Sequence, residues 1–180
     1  MSFPQLFAGR FLLEEIGPED QAFIFEGLSH PKVIPYYGVQ YASFDETGAQ
    51  MEFYASLRRD GTGTWWKIVD QASGQKLGAV GYNNYQPAHR RAEIGYWLLP
   101  AFWGKGIVTE VLPVLLHYLF EEIRVHRIEA MVETANSASA KLLQKLGFTL
   151  EGSLRDYEIK NGRYISLEVY SLLSHERQKR

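Results

Sequence analysis

The sequence contains no cysteine. Structural disulfides, thiolate metal ligands and a cysteine that carries an acyl group during catalysis are therefore excluded. The five histidines show no H-E-x-x-H or similar spacing, which would bring two imidazole rings to one metal ion. We accordingly predict a protein without a metal site, whose chemistry does not depend on a thiol of its own.

An excess of charge of one sign is missing too. Lys and Arg total 19 and Asp and Glu total 21, which gives a formal net charge of −2. Proteins that bind a nucleic-acid duplex normally present a basic face or stripe. The main positive cluster, Arg90 and Arg91 beside His89, is interpreted as a solvated loop, so we expect no nucleic-acid partner.

Long apolar segments are also absent. The N-terminal residues show no basic stretch followed by a long apolar one, and the densest apolar run, residues 111–116, contains Pro113. Hydrophobic residues make up 46% of the chain and charged residues 22%, the ordinary range of globular proteins. We predict a single domain over residues 1–180 in a cytoplasmic protein that does not bind a membrane.

The motifs G-x-x-x-x-G-K-[ST] and G-x-G-x-x-G do not occur either, which disfavours nucleoside triphosphates and NAD. The chain instead has Gly104, Lys105 and Gly106 between an apolar strand and an amphipathic helix. The N–H groups in the first turn of a helix lack intrahelical partners, and glycine lets the backbone approach a phosphate closely. This segment favours a diphosphate site, although a bare G-x-G is also compatible with a plain strand-to-helix turn.

Hydrophobic periodicity predicts a mixture of strands and helices. The strand over residues 127–132 is expected to lie parallel to the one over 92–99, because a helix connects them. Asn161-Gly162 is typical of a two-residue hairpin turn. We predict strands at 10–16, 62–69, 76–82, 92–99, 127–132, 149–159 and 164–173, and helices at 19–28, 46–59, 105–122 and from 136 or 137 to 147.

Glu93 is the one carboxylate in the mostly apolar strand 92–99. Alternation places it on the same face as Gly95, Trp97 and Leu99. Burial disfavours the charged form of a carboxylate and raises its pKa unless partners compensate. The position therefore suits a general base, although an ion-paired structural carboxylate is an alternative.

Four segments occur in order along the chain: A-E-I-G-Y-W-L at 92–98, W-G-K-G-I-V-T-E at 103–110, N-S-A-S-A-K-L-L-Q-K-L-G-F at 136–148 and E-G at 151–152. Together they resemble the GNAT N-acetyltransferases, in particular the ribosomal-protein N-terminal acetyltransferases. The resemblance covers about residues 9–174. It implies an α/β fold with a mixed, mostly antiparallel seven-stranded sheet, about four helices, and a central parallel pair of strands splayed around the cofactor.

The resemblance also implies acetyl-CoA as co-substrate, with its diphosphate over the glycine loop and its pantetheine arm against the strand that precedes the loop. Where the family usually has Gln or Arg, this chain has Ala101, so backbone N–H groups are expected to hold most of the diphosphate. Asn136 would steady the arm, although simple helix capping also explains an Asn there. The implied cofactor-binding residues are Trp97, Leu98, Leu99, Trp103, Gly104, Lys105, Gly106, Ile107, Val108, Asn136 and Ser139.

The implied reaction is direct transfer of the acetyl group to a primary amine, either a protein N-terminus or a small molecule. Glu93 and Glu158 are the candidates for the general base, with a water molecule as the third alternative. Ser139 is the candidate that protonates the departing thiolate. The alternative function is a non-catalytic acyl-CoA sensor on the same fold, and a homodimer is expected only by analogy with the family.

A group of three tyrosines, Tyr36, Tyr37 and Tyr41, lies in the connection between the first two predicted helices. In the related family this region covers the acceptor, so the tyrosines are candidates for one wall of its pocket. Ordinary packing of aromatic side chains on the sheet is an equal alternative.

Overall fold

The computed structural model describes residues 3–177, whose strands form one mixed sheet. The strands are β1 Leu6–Ala8, β2 Phe11–Glu15, β3 Thr64–Asp70, β4 Lys76–Gln86, β5 Arg91–Leu98, β6 Arg127–Glu133, β7 Thr149–Lys160 and β8 Arg163–Leu173. The helices are α1 Gln21–Leu28, α2 Gly48–Arg59, α3 Ile107–Glu121 and α4 Ser137–Lys145. The strand order is β1-β2-β3-β4-β5-β6-β8-β7, and the predicted α/β fold class is confirmed.

The sheet has eight strands where the sequence predicted seven. The additional strand is β1, which is three residues long and pairs antiparallel with β2. Gly9 between them has φ +57°, a left-handed conformation that glycine adopts without a Cβ penalty. Three residues are too few to show an alternating pattern, so periodicity gave no sign of this edge strand.

The central strands β5 and β6 are parallel, as predicted from the helix that connects them. They pair over only three positions, Arg91 with Arg127, Ala92 with Ile128 and Glu93 with Glu129. Beyond these pairs β5 continues to Leu98 and β6 to Glu133 without pairing to each other. The two strands therefore splay apart after Glu93, which confirms the predicted splay and opens a gap in the middle of the sheet.

Separate hydrophobic cores cover the two faces of the sheet. On one face α3 buries an apolar stripe, and the helix continues through Pro113 without a break. On the other face α1 and α2 pack over Trp65 and Trp97. A Cβ added at Gly95 would come within 2.8 Å of the Trp65 ring, so glycine on β5 lets this indole pack directly against the strand backbone.

The final hairpin turns at Asn161 and Gly162, whose φ values of +50° and +73° confirm the predicted turn with two left-handed residues. β7 lies at the edge of the sheet, beyond β8. The hairpin is tied to the connection between α1 and α2, since Lys160 Nζ donates to the Pro35 carbonyl at 2.9 Å.

Within residues 3–177, no helix is long and apolar enough to cross a membrane.

Candidate active site

The glycine loop, residues 99–106, connects β5 to α3. Gly104 has φ +71° and Gly106, the N-cap of α3, has φ +75°. An added Cβ at either glycine would meet nothing within 4 Å, so backbone conformation rather than crowding requires glycine here. Trp103 Nε1 donates to the Leu98 carbonyl at 2.8 Å and fixes the start of the loop, while Lys105 Nζ lies 5.3 Å from the centre of the Phe102 ring.

A cavity of about 400 Å³, called here the loop cavity, lies between this loop, β5 and α4. The exposed amide end of α3 faces solvent at Gly106, where the helix dipole places partial positive charge. Lys105 and Leu99 do not line the cavity. The predicted residues that do line it are Trp97, Leu98, Trp103, Gly104, Gly106, Ile107, Val108, Asn136 and Ser139.

Leu99, which the resemblance implied as a cofactor-binding residue, lies directly after the end of β5. Its N–H donates to the Leu77 carbonyl and its own carbonyl accepts from Phe102 N–H, both at 2.9 Å. Both main-chain groups thus have partners within the protein, the N–H on β4 and the carbonyl in the turn that follows β5. Only Trp97 and Leu98 of the three predicted strand residues reach the cavity.

A second cavity of about 450 Å³, called the Glu93 cavity, is lined by both of the splayed strands, β5 and β6. Glu93 on β5 and Glu158 on β7 both line it, although 65 residues separate them in the chain. Six of the residues that line it are aromatic. The aromatic residues are Tyr36, Tyr37, Tyr41, Phe53, Trp65 and Tyr96.

The three tyrosines of the α1–α2 connection lie at a cavity, and two of them also pack within the protein. All three line the Glu93 cavity. Tyr37 also packs edge-on against Trp65, with ring centres 6.5 Å apart, and Tyr41 donates to Gln50 Oε1 at 2.9 Å. The ring of Tyr37 and the hydroxyl of Tyr41 are therefore held by the sheet and by α2 while both residues line the cavity.

The carboxylate of Glu93 sits in an environment that disfavours its charge. Burial raises the pKa of Glu93, and the negative charges of Glu129 and Glu158 raise it further. Asn84 Nδ2 opposes this by donating to Glu93 Oε2 at 2.9 Å, which lowers the pKa. The third carboxylate in the wall, Glu133, is paired with Lys160, whereas Glu93 and Glu158 form no ion pair with any residue of 3–177.

The two cavities meet at a boundary formed by five shared residues: Tyr36, Tyr37, Tyr96, Asn136 and Ser139. Asn136 is the N-cap of α4, and its Oδ1 accepts from Ser139 N–H at 3.2 Å. This confirms the capping explanation for Asn136 and also places it beside both cavities. Ser139 Oγ lies 2.5 Å from Tyr96 Oη across the gap between β5 and α4.

Sequence reasoning did not single out Asn84 or Tyr96. Asn84 lies at an irregularity of β4 and has φ +52°, a conformation that a sequence pattern does not reveal. Tyr96 was visible in the segment A-E-I-G-Y-W-L, but alternation placed it on the face opposite Glu93. It reaches both cavities because the strands have separated at its position.

Among residues 3–177, no group of three or more His, Asp or Glu side chains is arranged to hold a metal ion.

Residues 10–149 match the family described as the acetyltransferase (GNAT) domain. The chain therefore belongs to the GNAT acetyltransferases, which are acyltransferases that use acetyl-CoA. The match extends from β2 to the start of β7 and includes the central strands β5 and β6 and the glycine loop.

Individual relatives agree with this assignment. The chain is 35% identical over 172 residues to the uncharacterized N-acetyltransferase YoaA of Bacillus subtilis (strain 168), covering 95% of this chain and 97% of that one. It is 30% identical over 95 residues to the ribosomal-protein-serine acetyltransferase of Escherichia coli (strain K12), covering 53% of each chain. The structure of spermidine N-acetyltransferase from Vibrio cholerae with CoA and spermine has a TM-score of 0.83 and 26% identity, covering 93% of this chain and 97% of that one.

Proposed function

We propose that this protein transfers the acetyl group of acetyl-CoA directly to a primary amine, with Glu93 as the general base and Ser139 as the proton donor to the leaving sulfur. The observation that carries the proposal is the meeting of two cavities at Ser139, one beside a glycine loop and one lined by two carboxylates. Because the chain has no cysteine, a cysteine acyl-enzyme is excluded, and direct transfer between two bound substrates is the simplest route.

The loop cavity suits a diphosphate-bearing co-substrate. Gly104 and Gly106 hold left-handed conformations with open space beside them, and the N-terminal turn of α3 starts at the loop. The backbone N–H groups of residues 104–108 would hold the diphosphate, and Trp97 and Leu98 would border the pantetheine arm. Bound acetyl-CoA supplies the activated acyl group as a thioester.

Glu93 suits the base because its charge is already partly disfavoured. An amine with a pKa near 10 is only about one thousandth neutral at pH 7, which corresponds to about 4 kcal/mol. A carboxylate whose pKa is raised toward the working pH removes such a proton more readily. Glu158 is the alternative base on the same wall, and its negative charge also attracts a cationic amine to the cavity.

Ser139 is suited to act as the general acid because two hydrogen bonds fix its position. Its N–H is held by the Asn136 cap, and its hydroxyl is held by Tyr96. It lies in the first turn of α4, where the helix dipole favours developing negative charge. This arrangement places a hydroxyl proton at the boundary that both substrates must share.

The acceptor is proposed to be either a protein N-terminal α-amine or a small primary amine. Both carry a cationic primary amine that Glu93 and Glu158 attract, and the aromatic residues of the cavity suit the carbon atoms next to that amine. Names of relatives support both choices, since one acts on a ribosomal protein and a solved structure contains spermine.

The test is acetyl transfer by the purified protein to three acceptor classes: N-terminal peptides, polyamines and simple primary amines. Thiol release can be read without background because the protein has no thiol of its own, and mass spectrometry identifies the acetylated product. The same peptides with a blocked N-terminus are the control. Acetylated product in at least one class supports the enzyme; CoA binding with no product in any class would indicate the acyl-CoA sensor instead.

A further inference from the structure

In the proposed reaction, the contact between the hydroxyl groups of Tyr96 and Ser139 serves only to position Ser139. Tyr96 Oη and Ser139 Oγ lie 2.5 Å apart, a short distance even for a hydrogen bond between two hydroxyls. Tyr96 comes from β5 and Ser139 from α4, on opposite sides of the central gap. Both residues line both cavities, so the contact lies where the acyl group must pass.

The direction of this hydrogen bond follows from acidity. A phenol is a stronger acid than an aliphatic hydroxyl, so Tyr96 is the natural donor and Ser139 Oγ the acceptor. Burial raises the pKa of Tyr96 above its ordinary value, and the phenol therefore keeps its proton at neutral pH. With Tyr96 as donor, the proton of Ser139 remains available to a group in the cavity.

We propose that Tyr96 is a proton-relay residue that acts through Ser139 in the acyl transfer. The inference rests on the proposed function. As the amine nitrogen bonds to the acyl carbon and the carbon–sulfur bond breaks, Ser139 Oγ gives its proton to the sulfur and takes one from Tyr96 Oη. The phenolate then regains a proton from solvent, and the proton lost by the amine leaves through Glu93, so protons and electron pairs balance.

The relay makes a difference because a serine alone is a poor acid. If Ser139 gave up its proton without replacement, an alkoxide would form in a partly buried site, at a high cost in free energy. A neighbouring phenol replaces that alkoxide with a phenolate, in which the charge is spread over the ring. The N-terminal turn of α4 lies at the same point and favours negative charge there.

The first test needs no acceptor amine and measures the pKa of the thiol of bound CoA. Ultraviolet absorbance of the thiolate is followed against pH for the CoA complex, and the complex with desulfo-CoA is subtracted to remove tyrosine ionisation. The protein has no cysteine, so the signal comes from CoA alone. The relay predicts a thiol pKa about one unit lower in the wild type than in Tyr96→Phe. Equal values in the two proteins would overturn the inference.

The second test is a double-mutant cycle on kcat. Tyr96→Phe is expected to lower kcat about tenfold or more with little change in the KM for acetyl-CoA, and adding it to Ser139→Ala should cost almost nothing further. Tyr118→Phe is the matched control, because Tyr118 packs against Trp66 and lines neither cavity. Additive losses, or a Tyr96→Phe enzyme as active as the control, would contradict the relay.

Failure of the relay is distinguishable from failure of the proposed function. If the wild-type protein acetylates no amine, the proposed function fails, while the thiol titration still decides whether Tyr96 stabilises the sulfur anion. If the wild type is active and the thiol pKa does not respond to Tyr96, only the relay fails.

Discussion

Asn84 donates a hydrogen bond to Glu93, with 2.9 Å between Nδ2 and Oε2. The two residues lie on neighbouring strands, β4 and β5, next to an irregularity in their pairing. Asn84 adopts φ +52°, which Asn tolerates better than most residues. The contact orients the carboxylate that the proposed reaction uses as a base and stabilises its charged form.

Replacing Asn84 should therefore change how activity depends on pH. Asn84→Gly removes the amide but keeps the left-handed backbone, so the effect is confined to the lost hydrogen bond. Loss of the donor raises the pKa of Glu93, and the acidic limb of kcat/KM moves to higher pH. At the acidic end we expect a loss of roughly fivefold or more, as for a hydrogen bond to a charged group.

Asn161→Gly is the matched control for this experiment. Asn161 has φ +50° and lies in the turn between β7 and β8, where its side chain accepts from Gln40 and does not line the Glu93 cavity. Its variant should keep the wild-type position of the acidic limb. An unchanged limb in Asn84→Gly would show that this hydrogen bond does not tune the base.

Substitutions in the glycine loop should weaken CoA binding in addition to lowering the stability of the fold. Gly106→Ala forces a side chain into a left-handed position and should cost about 1 kcal/mol of unfolding free energy. It should also weaken CoA binding about tenfold, or about 1.4 kcal/mol, because the N-terminal amides of α3 move. Urea unfolding measures the free energy of unfolding, and titration calorimetry measures the affinity for CoA.

Gly61→Ala isolates the stability effect. Gly61 has φ +67°, no atom within 4 Å of an added Cβ, and lines neither cavity. It should lose a similar amount of stability and keep full affinity for CoA. If both variants bind CoA equally well, the loop does not hold the cofactor.

The ion pair between Arg127 and Glu151 predicts a pH dependence of stability. Two hydrogen bonds join them, at 2.7 and 2.6 Å, and lower the pKa of Glu151 from 4.5 to about 2. A carboxyl group whose pKa is lower in the folded state stabilises the fold above its unfolded pKa. That contribution is lost as the pH falls from 4.5 to about 2.

Glu151→Gln should remove part of this acid dependence. Because Arg127 and Glu151 are partly exposed, we expect about 1 kcal/mol at most. Urea unfolding at several pH values measures it, with Glu14→Gln as control, since Glu14 forms no ion pair within residues 3–177. Equal acid dependence in the Glu151 variant and the wild type would contradict the assignment.

Most of the fold could be predicted from sequence because its signals are local. The stripe of α3, the Asn136 cap and the Asn161-Gly162 turn each depend on residues a few positions apart, and all three are present. The short strand β1 was missed because three residues are too few to show an alternation of apolar and polar side chains. Glycines at 104 and 106 were recognised because a left-handed conformation restricts the residue type.

The remaining features of the site depend on contacts between distant segments. Asn84 reaches Glu93 only because β4 is irregular beside it, and Tyr96 meets Ser139 only across the gap between β5 and β6. Leu99 was predicted to bind the cofactor from its place in a motif, whereas in the structure its N–H donates to Leu77 on β4 and its carbonyl accepts from Phe102 in the following turn. Local patterns identify residue types, but strand register decides which groups remain available.

The central claim is that Glu93 removes the proton of the acceptor amine. The most direct measurement is kcat for thiol release from acetyl-CoA in the wild type, Glu93→Gln and Glu158→Gln, with CoA affinity measured on the same proteins. We predict that Glu93→Gln lowers kcat about 100-fold or more while CoA still binds, and that Glu158→Gln has the smaller effect. A Glu93→Gln protein that keeps wild-type kcat would contradict the account and leave Glu158 or water as the base.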